Sequence, residues 1–319
     1  MEFRSYRNGD ESQLVALFNL CFPGGIMRTT DSWRWRFMNN PNFDPEGVII
    51  AEEKGEIRGY VIAVPRKPHF YKGRKIRIVH GDDLCVLPEA RGAGLGTRLI
   101  KSLMNYAEER QALLLGYVGK ESTAHKIEAT LGWSAVDEYL YLRRVATTNV
   151  VPGTRTVRQS NLTSYKTLSK KNVDAVIDFL NSWNSKKIPS PIFDRSEYEW
   201  RYLTHENCNS DSIYLAEEGE NIVGHIAVSS HPTSTSQEPF VILSEPCGEI
   251  QGILHLVNEI GCSSLNVVTR SQDRGLYEAL GFSLAGTNLV HVKDYTGSNV
   301  LQEKGAGWYL FPESIFGAP

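Results

Sequence analysis

Apolar positions recur along the chain with two different periods, which predicts both helices and strands. A helical period runs through ESQLVALFNLCF and predicts an amphipathic helix. Two β-rich runs follow, VIIAEE and IRGYVIAV, separated by the turn residues KGE. Further on, TRLIKSLMNYAEERQ carries one apolar stripe and predicts a second helix. Helices interspersed with mostly hairpin-connected strands predict a mixed α/β class, in which a mostly antiparallel sheet is flanked by helices.

The chain also contains an internal repeat. The segment WRFMNNPNFDPEGVIIAEEKGEIRGYVIAV is similar to WRYLTHENCNSDSIYLAEEGENIVGHIAV. Three pairs of identical residues keep one constant spacing: Trp35 with Trp200, Ala51 with Ala216, and Gly59 with Gly224. Self-similarity of this kind predicts two copies of one structural unit.

We therefore expect two tandem domains. The copies are predicted at residues 1–148 and 164–300, with a polar linker at 149–163 and a C-terminal tail at 301–319. Each copy is expected to begin with an amphipathic helix, followed by an aromatic segment and a hairpin.

Composition limits the classes of partner. Hydrophobic content of 41% and charged content of 22% in 319 residues are typical of a soluble globular protein. The net charge of −3 supplies no field that would attract nucleic acid or an anionic membrane surface. No apolar run approaches the roughly 18 residues of a membrane span, and the amino terminus lacks the apolar region of a signal peptide. We expect neither nucleic acid nor membrane as a partner; the composition leaves the oligomeric state open.

The cysteines point to a reducing compartment. The five cysteines are scattered and form no CxxC pair, which argues against a disulfide framework and a structural zinc site. We expect a cytoplasmic protein with reduced thiols and no metal cofactor.

The most informative stretch is RGAGLG, residues 91–96, which precedes the second predicted helix. A dinucleotide fingerprint needs a third glycine at position 97, and a Walker A loop needs lysine there, but Thr97 occupies that position. Two interpretations remain: a tight turn that only joins strand to helix, or an anion site at the helix N-terminus. In the second, glycines let the backbone approach a pyrophosphate and Arg91 adds a donor.

In this context VLPEARGAGLGTRLIKSLMNYAEERQ resembles motif A of the GNAT superfamily of N-acetyltransferases. That family's loop, arginine or glutamine followed by x-x-glycine-x-glycine or alanine, binds the pyrophosphate of acetyl-coenzyme A. The family's pattern of tyrosine-x-x-leucine-glycine-phenylalanine is also present, as YEALGF from Tyr277. In the first copy the matching segment is EATLGW, with Glu128 in place of the tyrosine.

The resemblance covers nearly the whole chain as a tandem pair, but motif A occurs in the first copy alone. The second copy reads ILSEPCGEIQGILHLV where that loop is expected, without the arginine and the glycine spacing. The resemblance therefore implies that the first domain binds acetyl-CoA as cosubstrate and that the second is a degenerate copy.

The cofactor-binding residues follow from the same resemblance. Backbone on the strand before the loop is expected to contact the thioester, the loop to hold the pyrophosphate, and the start of the next helix to be capped, to touch the pantetheine, or both. The expected residues are Leu84, Cys85, Val86, Arg91, Gly92, Ala93, Gly94, Leu95, Gly96, Thr97, Ser122 and Thr123.

Acetyl transfer needs a group that deprotonates the amine and a group that protonates the leaving thiolate. Strand alternation places His80, Asp82, Leu84 and Val86 on one face unless a bulge intervenes. His80 is the better base candidate because its ordinary pKa lies near neutrality, with Asp82 beside it. An alternative is that HGDD only satisfies polarity at a strand end. For the acid, Tyr117, Glu121 or water are candidates, with Glu128 at the family's tyrosine position.

The sequence thus predicts an N-acetyltransferase that moves an acetyl group directly from acetyl-CoA to a primary amine of a small molecule or peptide. The alternatives are a catalytically silent acyl-CoA-binding protein, suggested by Glu128, and acyl transfer to a group other than an amine.

Overall fold

A computed structural model describes residues 1–23, 27–145, 162–165, 173–187, 190–205, 208, 212–231, 240–260, 264–302 and 308. These residues form two compact units. The first contains the described residues of Met1–Tyr139, Lys186–Ile192 and Thr287–Leu310, and the second those of Leu140–Ser185 and Phe193–Gly286. The predicted linker 149–163 lies outside the described residues except for its last two positions, as does most of the predicted tail 301–319.

The chain forms both strands and helices, numbered along the sequence. The strands are β1 (Glu2–Arg4), β2 (Val48–Glu53), β3 (Glu56–Tyr71), β4 (Arg74–Val86), β5 (Ala112–Gly119), β6 (Ser134–Val145), β7 (Leu162–Tyr165), β8 (Ile213–Glu218), β9 (Asn221–His231), β10 (Phe240–Gly248), β11 (Ser264–Arg270) and β12 (Ser283–Asp294). The helices are α1 (Glu11–Cys21), α2 (Thr30–Trp33), α3 (Leu95–Glu109), α4 (Thr123–Thr130), α5 (Val173–Asn184), α6 (Arg195–Tyr198), α7 (Ile250–Glu259) and α8 (Arg274–Glu278). This is the predicted mixed α/β class.

The sheet of the first unit has the strand order β1-β2-β3-β4-β5-β12. Neighbouring strands are antiparallel except for β4 and β5, which are parallel. The last strand comes from the end of the second repeat, because Asn288–Asp294 of β12 pair with Leu113–Gly119 of β5. The first unit is therefore not one continuous segment of chain.

The sheet of the second unit follows the same plan, in the order β7-β8-β9-β10-β11-β6. Its parallel pair is β10 with β11, and its core includes Leu140 and Leu142 of β6. Each unit thus takes one strand from the end of the other repeat. The units therefore differ from the predicted contiguous domains 1–148 and 164–300, because each unit includes a strand from the other repeat.

Local irregularities repeat together with the sequence. In both copies a short helix continues into one π-helical turn, at Arg34–Met38 and at Glu199–Leu203. The following hairpin carries a register shift after Ala51 in the first copy and after Ala216 in the second. Matching irregularities at matching positions indicate that the two copies share one backbone plan.

Apolar side chains pack on both faces of the first sheet. On one face, the predicted stripe of α3 packs with Val79 and Leu114, burying Leu99, Ile100 and Leu103. On the other face, Trp33 of α2 packs with α1 residues and with β2 and β3. Each fully buried aliphatic side chain contributes roughly 1.5–3 kcal/mol, so both helical layers hold the central strands β3, β4 and β5 in place.

Candidate active site

The centre of the site is the point where β4 and β5 part. The two strands pair in parallel from Arg77 with Ala112 to His80 with Leu115. Beyond that point β4 continues to Val86 and β5 to Gly119 without further pairing between them in the described register. Backbone N–H and C=O groups on the facing edges are therefore left for another partner, which makes this wedge suited to an extended ligand.

A β-bulge reshapes β4 within the wedge. Tyr60 of β3 pairs with Cys85 and Ile62 pairs with Asp82, so that two residues of β4 oppose one of β3. Asp83 at the bulge has a φ of 48°, in the left-handed region. The bulge allowed for in the sequence analysis is therefore present, and His80, Asp82, Leu84 and Val86 do not share one face.

After the bulge the two sides of β4 are exchanged. Asp82 contacts Arg36, which lies in the π-helical turn after α2. Leu84 and Val86 instead pack against the cluster of α3, whereas Cys85 is buried in the cluster of α1 and α2. The side chains of His80 and Asp82 consequently face α1 and α2, where they are separated from those of Leu84 and Val86.

Two arginines neutralise the acidic pair on β4. Arg36 Nη2 donates to Asp82 Oδ2 at 2.6 Å, and Arg28 forms an ion pair with Asp83. Burial favours the neutral acid at both positions, but Arg36, His80 and Arg28 hold the pKa of Asp82 below its ordinary value. Burial prevails at Asp83, whose pKa is raised to about 6. Asp82 is therefore the stronger acid of the pair and the one that stays ionised as pH falls through 6.

His80 lies beside this carboxylate and under an aromatic ring. Its Nδ1 is 3.9 Å from Asp82 Oδ2, and its ring centroid is 4.9 Å from that of Tyr117. Tyr117 in turn meets the ring of Tyr139 edge-on at 5.5 Å. His80 is only 1% exposed. Three of the four predicted catalytic residues, His80, Asp82 and Tyr117, are thus brought together where the strands part.

The predicted glycine loop forms the N-terminus of α3. Gly92 and Gly94 have φ values of 81° and 78°, and Gly94 is the N-cap of the 15-residue helix. A Cβ atom at either glycine would meet no atom of the described residues within 4 Å. The loop and the exposed Ala93 leave the first N–H groups of α3, from Leu95 to Thr97, open to an anion.

Arg91 has a different position from the one expected of an anion-binding donor. Its Nε donates to the Val86 carbonyl at 3.0 Å, and its Nη2 lies 3.6 Å from Cys21 Sγ. The guanidinium therefore secures the end of β4 to the end of α1, in addition to any contact that its exposed edge makes.

The start of α4 is capped, as one interpretation of the sequence predicted. Ser122 is the N-cap, and its Oγ accepts a hydrogen bond from the His125 N–H at 3.1 Å. Thr123 is the first residue of the helix. Both follow the end of β5, whose edge toward β4 is unpaired there.

Glu128 lies apart from His80 and Tyr117. It is buried on α4 beside Gly116. A Cβ atom added at Gly116 would lie 3.6 Å from Glu128 Oε1. Adjacent side chains of a strand point to opposite faces, so Glu128 and Tyr117 lie on opposite faces of β5. Glu128 Oε2 is 2.8 Å from His291 Nδ1. Burial raises the pKa of Glu128, although His291 opposes this.

Several of these partners were missed by sequence reasoning. Arg36 belongs to the repeated motif WRF and WRY, so the repeat was an available signal for its importance. Arg28, Cys21 and His291 carry no such signal. His291 in particular lies in the second repeat and reaches Glu128 only because β12 joins the sheet of the first unit.

The second unit has lost the corresponding chemistry. The register of β10 against β9 places Ile242 where β4 has His80, and Ser244 where β4 has Asp82. α7 begins at Ile250 directly after Gly248 and Glu249, and a Cβ at Gly248 would lie 2.3 Å from the Val223 carbonyl oxygen. This helix N-terminus is packed against β9 and has a carboxylate beside it, a poor place for an anion.

The described residues contain no group of three or more His, Cys, Asp or Glu side chains arranged to hold a metal ion. No helix among them has the length and apolar character required to cross a bilayer.

Comparison with known proteins agrees with this geometry. Residues 12–126 match the model of the acetyltransferase (GNAT) family. An uncharacterized N-acetyltransferase of Archaeoglobus fulgidus is 37% identical over 67 residues, covering 21% of this chain and 44% of the relative. A glycylpeptide N-tetradecanoyltransferase of Kluyveromyces lactis is 25% identical over 263 residues, covering 76% of this chain and 57% of the relative.

Solved structures extend the likeness to nearly the whole chain. Saccharomyces cerevisiae N-myristoyltransferase with bound myristoyl-CoA and inhibitors has a TM-score of 0.69 at 14% identity, covering 97% of this chain and 86% of that one. A GCN5-related N-acetyltransferase from Sphaerobacter thermophilus has a TM-score of 0.60 at 14% identity, covering 92% of this chain and 95% of that one. At this identity the two structures define the fold.

The match of residues 12–126 to the acetyltransferase (GNAT) model agrees with the resemblance of motif A, and nearly the whole chain shares the fold of these solved structures. The match spans only about half the length of the two curated relatives, 44% and 57%.

Proposed function

We propose that this protein is an acyl-CoA-dependent N-acyltransferase, which moves an acetyl group from acetyl-CoA to a primary amine of a small molecule or peptide. One observation carries the proposal: the wedge between β4 and β5 has the glycine-bounded N-terminus of α3 at its mouth and the buried His80–Asp82 pair at its apex. The family match of residues 12–126 supports the same activity.

The residues of the first unit fit a CoA cosubstrate. Exposed backbone N–H groups at the start of a long helix suit a pyrophosphate because they combine free donors with the positive end of the helix dipole. Open space at Gly92 and Gly94 lets such a group approach the backbone. The unpaired edge of β4 from Gly81 to Val86 supplies hydrogen-bonding groups for an extended arm. The expected binding residues Leu84 to Val86, Arg91 to Thr97, Ser122 and Thr123 border this path.

In the proposed mechanism His80 accepts a proton from the attacking amine, directly or through water. Asp82 is held ionised by Arg36 and stabilises the imidazolium that forms on His80, although the 3.9 Å separation is too long for a hydrogen bond in this state. Backbone N–H groups on the edge of β4 that faces the wedge are suited to stabilise the oxyanion of the tetrahedral intermediate. Direct transfer needs no nucleophilic side chain, so Cys85, buried among apolar residues, is not required to react.

For the acceptor we propose a chemical class, the primary amines of small molecules and peptides. One relative is named a glycylpeptide N-tetradecanoyltransferase, which supports including peptide amines beside small amines. We also propose that the second unit has a structural or substrate-shaping role, since the His80 and Asp82 positions carry Ile242 and Ser244. A cytoplasmic location is supported by Cys21, Cys85, Cys208 and Cys247, which form no disulfide within the described part of the chain.

The activity is tested by thiol release from acyl-CoA with a panel of amines, polyamines, amino acids and peptides bearing a free amino group. Acetyl-, octanoyl- and myristoyl-CoA serve as donors in parallel. Turnover with acetyl-CoA and at least one amine is expected. CoA binding without turnover on any acceptor or donor would favour the silent binder, an alternative that the family comparisons do not favour.

The cofactor site is tested by Gly94→Glu, with Gly219→Glu as the matched control. Both glycines have positive φ and open space around a Cβ, but Gly219 lies in the β8–β9 turn of the second unit. A carboxylate at position 94 repels a pyrophosphate at the start of α3, so we expect CoA affinity to fall at least about tenfold, or 1.4 kcal/mol. Calorimetry measures the affinity of both variants for CoA. Equal affinities in wild type and Gly94→Glu would refute this placement of the cosubstrate.

A further inference from the structure

A chain of three side chains connects a buried carboxylate to the surface of the first unit. Glu128 Oε2 lies 2.8 Å from His291 Nδ1, and His291 Nε2 lies 3.1 Å from His125 Nδ1. Glu128 is 6% exposed and His291 1% exposed, whereas His125 is half-buried. His291 contacts Glu128 through Nδ1 and His125 through Nε2, and His125 makes its contact through Nδ1. The other ring nitrogen of His125, Nε2, is therefore the outer end of the chain.

The outer end lies on α4, the helix that follows β5. His125 is in the first turn of α4, and its backbone N–H donates to the Ser122 cap. His291 is opposite Gly116 in the sheet, at the first residue of β5 beyond the last pair with β4. The absence of a side chain at Gly116 makes room for the carboxylate of Glu128 and for Trp133.

The chain and the His80–Asp82 pair lie on opposite faces of the sheet. Tyr117 packs on His80 on the face of α1 and α2, while the preceding residue, Gly116, borders Glu128 on the face of α4. Acyl transfer to an amine needs one proton removed from the nucleophile and one delivered to the leaving thiolate. Two proton-transfer groups on opposite faces of the sheet suit these two separate demands.

We propose that Glu128, His291 and His125 form a proton relay that protonates the departing thiolate of CoA, with His125 as the catalytic acid and the other two as positioning residues that supply its proton. This inference rests on the proposed acyltransferase function. It gives the first copy a replacement for the tyrosine that its sequence lacks at position 128.

The proton balance of the relay is simple. Glu128 begins as a carboxylic acid that donates to His291 Nδ1, His291 Nε2–H donates to His125 Nδ1, and neutral His125 carries its one ring proton on Nε2. The thiolate takes the proton from His125 Nε2, His125 Nδ1 takes one from His291, and His291 Nδ1 takes the proton of Glu128. The products are a thiol, a Glu128 carboxylate and two neutral histidines in the opposite tautomer. Solvent restores the proton through His125 once the thiol has left.

Other charged groups leave this chain undisturbed in the described structure. Lys293, two residues along β12 from His291, donates to the carbonyls of Leu131 and Gly132 at the end of α4. Its ammonium group thus stays at the opposite end of α4 from His125, and the burial of Glu128 remains the main influence on its protonation.

The relay is tested first by kinetics of the full chain. His125→Ala is expected to lower kcat by about 10²–10⁴-fold while the affinity for CoA stays within about threefold, and added imidazole is expected to restore part of kcat. His291→Gln and Glu128→Gln are expected to lower kcat less than His125→Ala, without rescue. Tyr277→Phe, at the position of the second copy that matches Glu128, is the control and should leave kcat unchanged. Retention of wild-type kcat by His125→Ala overturns the proposal.

A second measurement does not depend on turnover. Histidine ¹⁵N NMR spectra of the wild-type chain are compared with CoA and with desulfo-CoA, which lacks the sulfur atom. The signals of His125 and His291 are expected to shift with CoA and to shift little with desulfo-CoA. Equal shifts with both ligands would overturn the relay even if no amine is ever acylated. An absence of turnover in wild type with any amine would instead refute the proposed function.

Discussion

At the scale of single residues, adjacent acids on β4 have opposite properties because their partners differ. Arg36, His80 and Arg28 outweigh the effect of burial on Asp82 and lower its pKa, whereas burial raises the pKa of Asp83 to about 6. Two carboxylates this close titrate as a coupled pair. The arrangement keeps one ionised carboxylate beside His80, and Arg36 and Arg28 supply the compensating charge that burial demands.

The surroundings of Cys21, near the end of β4, change the pKa of its thiol. A hydrogen bond from the Cys85 thiol, with further contributions from Val86 and the Arg91 guanidinium, lowers the pKa of Cys21 to about 6 against the effect of partial burial. Burial raises the pKa of Cys85 well above its ordinary value. One thiol at the end of α1 is therefore ionised at neutral pH while its neighbour is not.

We expect Cys21 to react selectively with iodoacetamide. A lowered pKa means that the thiolate accumulates as pH rises through 6, so the labelling rate should increase between about pH 5 and 7 and then level off. Peptide mass spectrometry measures the rate, and Cys21→Ser serves as the control that removes it. A rate that rises only above pH 8, or faster labelling of the buried Cys208 or Cys247, would contradict the expectation.

At the scale of elements, two helices that follow equivalent strands have different N-termini. α3 follows an exposed loop with open space at Gly94, but α7 follows Gly248, which has a φ of 129°. A Cβ at Gly248 would lie 2.3 Å from the Val223 carbonyl oxygen and 2.6 Å from Gly224 Cα. The first helix is thus presented to a ligand and the second is packed onto its own sheet.

Gly248→Ala should therefore destabilise the second unit strongly. Overpacking against backbone and a disfavoured φ each cost about 1–3 kcal/mol, so we expect a loss of roughly 2–6 kcal/mol in the free energy of unfolding. Urea unfolding followed by fluorescence measures it. Gly219→Ala, which has a positive φ but open space, should lose only the part due to φ. Similar losses in the two variants would argue against close packing of α7.

At the scale of the whole molecule, the repeats of the sequence and the compact units of the structure do not coincide. The sheet of the first unit is completed by Asn288–Asp294, from the second repeat. Leu289, Val290 and Val292 of this strand are buried, and His291 supplies the partner of Glu128. The contiguous domain 1–148 therefore lacks a strand and one member of the relay.

We expect a fragment of residues 1–148 to lose cooperative folding and CoA binding. Three buried aliphatic side chains contribute about 1.5–3 kcal/mol each, which together approaches the whole stability of a typical domain, about 5–15 kcal/mol. Thermal unfolding followed by circular dichroism tests this. Fusing residues 283–310 to the fragment through a flexible linker should restore the transition, and a fragment as stable as the full chain would show that β12 is dispensable.

The sequence by itself determined the features that depend on local patterns of residues. Helical and strand periods, the glycine spacing of residues 91–96 and the repeat of WRF and WRY depend on neighbouring positions, and they were sufficient to predict the mixed α/β class, the family and the copy that carries the loop. Local steric and hydrophobic rules act within a few residues, so one sequence is enough to read them.

The tertiary structure alone decided which side chains meet. The bulge at Asp83 reversed the faces of β4, Arg91 folded back toward Val86, and Glu128 found its partner in His291 on a strand of the other repeat. Each of these depends on strand register and on the pairing of distant segments, which are set by the packing of whole sheets. Residues as far apart as Glu128 and His291 share no local pattern, and only the completed sheet brings them together.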